Sequence, residues 1–134
     1  MEACERLSTA KRLKDTTKDH RMIAYASGNA VELLLVAIGI KMRGLKDVPD
    51  NEKGGTWHSL VHLAKAHGVE ASLNQAFKDN KALRDNWLLV KDWDSNARFP
   101  TASISGKDAL ETFNAVAHPD QGVFKWLLNR YDQI

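Results

Sequence analysis

Two histidines spaced four residues apart, His58 and His62, are the first residues in this sequence whose types and spacing could do chemistry. On a helix this spacing places both imidazoles on one face, where they could reach a single metal ion. No glutamate follows His58, and no third ligand is adjacent in the sequence. We therefore expect these histidines to lie at the polar boundary of an amphipathic helix, and we predict neither a bound metal nor a cofactor.

Glu32 is the one acidic residue in the mostly apolar segment 28–44. A buried carboxylate needs a partner or access to water. Glu32 could serve as a general base or a ligand contact, or it could pair with an arginine such as Arg98, or reach solvent; we favour structural pairing. Arg98 precedes Phe99 and Pro100, where its guanidinium could either hold a phosphate or fasten the turn.

Segment 28–44 must position Glu32, and it has almost no polar surface: between residues 30 and 42 only Glu32, Gly39 and Lys41 are not apolar. Such a helix must be covered in a bundle, at a subunit interface or by a membrane. Its uninterrupted apolar run is far shorter than the ~20 residues that a bilayer needs. We predict a buried core helix.

Two glycines lie within this helix, and a third is expected to end it. Gly28 and Gly39 each cost about 1 kcal/mol relative to alanine, which favours the close approach of another backbone. Gly44 is a suitable left-handed stop. The following residues, 45–55, are rich in turn formers and predict a mobile, solvent-exposed loop.

The rest of the sequence predicts helices, because apolar residues recur every three to four positions and never alternate over a sustained stretch. Residues 2–20 predict a helix with a narrow buried stripe, and Thr56 caps a second helix that runs to His67. Two further helical pieces meet near Asp79 and Asn80. The fold class is therefore all-α.

The last part of the chain also reads as helical. A capping box at residues 105–108 opens a helix with Leu110, Phe113 and Ala117 facing inward. Pro119 either interrupts this helix or is the first residue of another one. The four tryptophans favour core or interface packing, although Trp93 could instead stack on a base.

Composition limits the classes of protein to consider. A chain of 134 residues with a net charge of +2 fits one domain, residues 1–134, and carries too little charge to indicate nucleic-acid binding by bulk charge. The single Cys4 favours a reducing compartment, and no secretory signal or transmembrane segment is evident. We expect a cytoplasmic protein that does not associate with a membrane.

The N-terminal helix is locally basic. Its cations alternate with Asp15 and Asp19, which can pair with them at helical spacing. We expect a solvated charged face here rather than an RNA site. The cations are Lys11, Arg12, Lys14, Lys18 and Arg21.

A series of motif residues follows the order known from one family of helical domains. The series comprises Tyr25, Ala26, Ala30, Glu32, Leu33, Leu34, Gly44, then His58-Ser59-Leu60 with Leu63, and finally Arg98-Phe99-Pro100. It resembles the HEPN domain family of higher eukaryotes and prokaryotes over about residues 22–131. Phe99 replaces a tyrosine of the family pattern, and Val36 stands where the family often has lysine.

The resemblance implies an up-and-down bundle of four or more helices that usually dimerises. Roles in that family range from nucleotide or RNA binding to toxin ribonucleases and partners of small nucleotidyltransferases. The resemblance also gives His58 the role of a cap or hydrogen-bonding residue within the fold.

HEPN ribonucleases carry an arginine, four to six intervening residues and then a histidine, and this sequence departs from that pattern. The nearest forward pair is Arg12 and His20, with seven residues between them. Before His118, Glu111 and Asn114 stand where an arginine would be sought. A carboxylate cannot replace a guanidinium in stabilising an oxyanion, so the usual ribonuclease motif is missing.

We predict a HEPN-like binding or interaction module that forms a homodimer through the apolar helix and its neighbours and lacks the usual ribonuclease motif. It would bind a nucleotide, RNA or a protein partner, such as a nucleotidyltransferase, in a groove near Glu32, His58 and Arg98. One alternative is a divergent ribonuclease of toxin–antitoxin type, in which Arg98 and either His118 or His58 converge only in space. Another is a purely structural dimeric subunit.

Overall fold

A computed structural model describes residues 1–16, 19–93 and 104–134, and within these ranges it contains α-helices and 3-10 helices but no strand. The all-α prediction is confirmed. Two short 3-10 helices, Asp50–Glu52 and Gly55–His58, precede the third α-helix. The α-helices are α1 Glu2–Thr16, α2 His20–Arg43, α3 Leu60–Ala66, α4 Val69–Phe77, α5 Lys81–Val90, α6 Gly106–Ala117 and α7 Val123–Asp132.

Helix α2 is the central element, because α1, α3, α6 and α7 all pack against it. Leu34, Leu35 and Ile38 are completely buried, so the prediction of a buried core helix is confirmed. The helix ends at Gly44, whose φ of 63° is the left-handed conformation expected of a C-terminal glycine. Asp19 caps its other end by accepting a hydrogen bond from the Met22 N–H.

The apolarity of α2 is explained within a single chain. Among the described residues, α2 is the one helix with the length and composition to cross a bilayer, yet 72% of its most apolar window is buried inside the protein. Central helices of bundles have this character. The other helices of the same chain therefore cover most of α2.

Aromatic rings, and not another backbone as predicted, make the close approaches to the glycines of α2. A Cβ atom at Gly28 would overlap the indole of Trp93, and one at Gly39 would overlap the imidazole of His67. Glycine at these positions lets two rings lie flat against the helix. Trp93 also donates a hydrogen bond from Nε1 to the Ala24 carbonyl, 3.1 Å away, which places it in packing and not on an open stacking surface.

The helix predicted from Thr56 begins later. Residues Gly55–His58 form a 3-10 helix, and α3 starts at Leu60, because Ser59 is the residue whose side chain accepts a hydrogen bond from the His62 N–H. His58 therefore precedes the helix that carries His62. The prediction that these two imidazoles share one helical face is wrong.

The C-terminal helices follow the predicted pattern with two corrections. Ser105 caps α6 by accepting a hydrogen bond from the Asp108 N–H, as the capping box predicts. Phe113 is buried, but Leu110 is 45% exposed because it lies outside the face that carries Ala109, Phe113 and Val116. Pro119 lies in the turn before α7, whose N-cap is Gly122.

Candidate functional site

A cavity of about 480 Å³ opens beside α2, and we call it the Glu32 cavity. One wall is a single face of α2, because its contributing residues recur at helical spacing. The other wall comes from residues 47–58, which connect α2 to α3. The lining residues are Tyr25, Asn29, Glu32, Leu33, Val36, Asp47, Val48, Glu52, Lys53, Gly54, Trp57 and His58.

Glu32 is 7% exposed and is held by two hydrogen-bond donors. Asn29 Nδ2 donates to Oε1 at 2.8 Å, and His58 Nδ1 lies 2.6 Å from Oε2. An ionised carboxylate can only accept hydrogen bonds, so in a bond to ionised Glu32 it is His58 Nδ1 that donates. The carboxylate is thereby satisfied at both oxygens, which is what its burial requires.

The bond to Glu32 also orients the His58 ring. The imidazole is 53% exposed, and among the described residues no protein atom forms a hydrogen bond with its second nitrogen, Nε2. In the neutral ring Nε2 accepts a hydrogen bond or a proton, and in the protonated ring it donates. His58 can therefore meet a ligand in either state.

The predicted site residues Glu32 and His58 lie together, and the HEPN expectation that His58 forms a hydrogen bond within the fold agrees with this geometry. Within the described part of the chain, the partners of Glu32 are Asn29 and His58. Arg98 lies outside the described residues. Asn29 was missed, although an amide three residues before a carboxylate on a helix is a recognisable pairing signal.

An arginine at the end of α2 fastens the second wall of the cavity. Arg43 forms two parallel hydrogen bonds with Glu52, at 2.8 and 3.0 Å, and donates a third from Nε to the Gly39 carbonyl. The hydrogen bonds between Arg43 and Glu52 raise the pKa of Arg43 and lower the pKa of Glu52. The Glu52 side chain is only 11% exposed, so the segment predicted to be a solvent-exposed loop is anchored at this point.

Two histidines lie next to the Trp57 indole. The ring of His62 meets Trp57 edge-on with centroids 4.5 Å apart, and the ring of His67 lies at 6.3 Å. His67 is 8% exposed, and its burial, with a further contribution from nearby Arg43, lowers its pKa. Both histidines pack against Trp57. Among the three, His58 is the histidine that lines the cavity.

The ionisable side chains give the Glu32 cavity an acidic character. Glu32, Asp47 and Glu52 contribute carboxylates, while Lys53 is the single lysine or arginine among the described lining residues. Arg43 neutralises Glu52, but within the ranges that the structure describes Asp47 accepts a hydrogen bond only from the Val48 N–H beside it. Cations and hydrogen-bond donors are attracted to such a wall, and phosphates are repelled.

The ionisable groups do not gather around a metal. Among the described residues, no three His, Cys, Asp or Glu side chains are grouped so that they could hold an ion. The remaining predicted histidine, His118, lies after α6 and lines a different cavity from His58. Its Nδ1 accepts hydrogen bonds from the N–H groups of Asp120 and Gln121, so it organises the turn into α7.

No family model matches this sequence, and neither a curated protein nor a solved structure matches it significantly. The geometry of the Glu32 cavity therefore carries the functional conclusion.

Proposed function

We propose that this chain is a HEPN-like, up-and-down helical bundle that acts as a binding module, with its ligand in the Glu32 cavity. The observation that carries the proposal is the 2.6 Å hydrogen bond between Glu32 and His58, a residue that lines the cavity, which leaves Nε2 of a fixed imidazole without a protein partner among the described residues. The cavity volume lies in the range of small-ligand sites. Aromatic lining by Tyr25 and Trp57 with a few oriented polar groups is also typical of such sites.

Among a nucleotide, RNA and a protein partner, the charges favour a protein partner that inserts a basic side chain. A phosphate would face Asp47 and Glu52. A guanidinium would instead be attracted to Asp47 and could stack on the face of Trp57, an arrangement worth about 0.5–2 kcal/mol. The His58 ring would accept one of its N–H groups.

The proposal is tested with small probes before a partner is known. Chemical-shift titration with N-acetyl-arginine methylamide should perturb the residues of the Glu32 cavity, whereas the neutral citrulline analogue and AMP should bind more weakly. Asp47→Asn should weaken arginine binding by about threefold to tenfold, which corresponds to one charge-assisted contact.

Asp85→Asn is the matched control, because Asp85 is an exposed acid on α5 that does not line the cavity. It should leave arginine binding unchanged. Tighter binding of AMP than of the arginine probe would contradict the choice of a basic ligand. Absence of any shift in the cavity with every probe would contradict the binding site itself.

Acid–base catalysis on RNA is the second candidate, and the Glu32–His58 pair favours it. A carboxylate that holds one imidazole nitrogen leaves the other able to take a proton from a ribose hydroxyl. The test is cleavage of structured and single-stranded RNA by the wild type, with His58→Ala, His118→Ala and Arg98→Ala variants. Cleavage that disappears in His58→Ala would establish a nuclease in place of a binding module.

A homodimer stays part of the proposal, with its interface on surfaces other than α2. Leu88, Leu89 and Leu110 are exposed on α5 and α6, which pack together. Light scattering should give a molar mass twice that of the monomer. Leu89→Asp should lower the measured mass to that of a single chain. A single-chain mass at all concentrations would remove the dimer. The cytoplasmic location, the nucleotidyltransferase partner and the toxin–antitoxin pairing stay predictions.

A further inference from the structure

A second cavity, of about 630 Å³, lies between α1, α6 and the turn that follows α6, and we call it the lysine cavity. Ser8, Lys11 and Lys14 recur every three residues along α1 and so face it together. The other side comes from the end of α6 and from His118. None of the functions considered so far uses this cavity.

The two lysines make the lysine cavity cationic. Lys11 has no ion-pair partner among the residues that the structure describes. The Lys14 ammonium lies 5.1 Å from the centre of the Phe113 ring and 3.4 Å from Asp15 Oδ1, so it is partly neutralised at the rim. No carboxylate is among the described lining residues.

His118 adds a hydrogen-bond donor of fixed orientation. Its Nδ1 accepts from the N–H groups of Asp120 and Gln121, at 3.1 and 3.0 Å, and so carries no proton. The ring proton therefore lies on Nε2, which can donate. With the Ser8 hydroxyl and the Asn114 amide, the cavity offers neutral donors beside its two ammonium groups.

The rest of the lining is apolar and suits a hydrocarbon or aromatic group. Leu7, Phe113, Ala117 and Pro119 supply this surface, and Phe113 is nearly buried beneath it. A ligand that matches both parts of the cavity combines a compact anion with an apolar body.

We propose that the lysine cavity binds a small organic phosphate, with the phosphate between Lys11, Lys14 and His118 and the organic group against Leu7, Ala117 and Pro119. A phosphate carries up to two charges and three acceptor oxygens, which matches several convergent donors better than a carboxylate does. A long polyanion such as RNA fits less well, because Asp15 and Asp120 flank the cavity.

The probe is phenyl phosphate, with inorganic phosphate, benzoate and phenol as comparisons, in chemical-shift titrations at low ionic strength. Phenyl phosphate should shift the amides around Lys11, Phe113 and His118 and should bind more tightly than every comparison. The double variant Lys11→Ala, Lys14→Met should raise its dissociation constant by about tenfold or more, since two charge-assisted hydrogen bonds are lost.

Lys107→Ala is the matched control, because Lys107 is an exposed lysine on α6 outside the cavity. Glu32→Gln should also leave phenyl phosphate binding unchanged, which separates this site from the Glu32 cavity. Ser8→Glu places a negative charge at an exposed lining position and should abolish binding without disturbing the core.

Four results would overturn the proposal. The first is binding of phenol, benzoate or inorganic phosphate as tightly as phenyl phosphate. The second is an unchanged dissociation constant in Ser8→Glu or in the lysine double variant. The third is no binding by the wild type at millimolar phenyl phosphate. The fourth is displacement of phenyl phosphate by micromolar single-stranded RNA, which would assign the surface to a nucleic acid.

Discussion

The two cavities have opposite charge although they belong to one nearly neutral chain. The Glu32 cavity presents carboxylates and aromatic rings, and the lysine cavity presents ammonium groups, neutral donors and an apolar surface. A net charge of +2 describes neither of them. The difference shows that the ligand class of each cavity depends on the charged side chains that line it, and not on the net charge of the chain. The packing of the helices determines which side chains those are.

The cavities also differ in how they are built. Half of the Glu32 cavity is a connecting segment held by the Arg43–Glu52 ion pair, whereas the lysine cavity is formed mainly by two α-helices. Loop segments open more readily than packed helices do. Changes that loosen the connection should therefore affect the Glu32 cavity alone.

The largest expected effect is on the lysine cavity. Phe113→Ala removes a nearly buried ring from its apolar surface and should lower the free energy of unfolding by about 3–5 kcal/mol. Urea denaturation measures this loss. Lys107→Ala, on the same helix but exposed, should stay within about 0.5 kcal/mol of the wild type. Equal losses in both variants would show that Phe113 is not part of the core.

Removing the buried carboxylate should have the next largest effect. Glu32→Ala leaves the Asn29 amide and the His58 Nδ1–H without their acceptor and should cost about 1–3 kcal/mol. The same denaturation experiment measures it, with the exposed Glu111→Ala as control. ¹⁵N spectra of Glu32→Ala should show the His58 proton redistributed between its two ring nitrogens. A ring proton that stays on Nδ1 would mean that Glu32 does not orient the imidazole.

A smaller effect should appear in the pH dependence of stability. Burial lowers the folded-state pKa of His67 below its ordinary value of about 6.5. As pH falls below that value, the unfolded chain takes up a proton that folded His67 does not, so stability decreases until the folded-state pKa is reached. His67→Gln should flatten this part of the thermal-unfolding profile between pH 7 and 5. An identical slope in the variant would exclude His67 as the cause.

The smallest effect on stability, confined to one wall, is expected from the ion pair. Arg43→Met removes both hydrogen bonds to Glu52 and should speed amide hydrogen exchange in residues 47–54 without changing exchange around the lysine cavity. Lys53→Met is the control, because the Lys53–Asp50 pair is exposed and joins two residues of the same connecting segment, so it does not hold that segment against α2. Equally faster hydrogen exchange around both cavities would contradict the claim that the Arg43–Glu52 pair stabilises the Glu32 cavity alone.

The sequence predicted the elements whose causes are local. The buried helix follows from apolar residues 30–42, the stop from Gly44, and the start of α6 from the capping box at Ser105. The start of α3 was misplaced because Thr56 and Ser59 are both good N-caps, and propensity alone does not choose between them.

The sites were predicted only in part, because they depend on packing between distant segments. Glu32 was selected as the acid of an apolar helix, and His58 from its spacing to His62 and from the HEPN resemblance. Residues 26 apart have no sequence signal that pairs them. The basic face of α1 was expected to be solvated. Nothing in the sequence indicated that Lys11 and Lys14 would face the turn at His118, since this juxtaposition arises from the packing of α1 and α6.

The position of Trp57 gives each cavity a different optical behaviour. Trp57 lines the Glu32 cavity in edge-on contact with His62, whereas no tryptophan lines the described part of the lysine cavity. A ligand that enters the Glu32 cavity should change the intensity or wavelength of the intrinsic fluorescence, while one that enters the lysine cavity should leave the emission nearly constant. The unlabelled protein thus reports which of its two cavities is occupied.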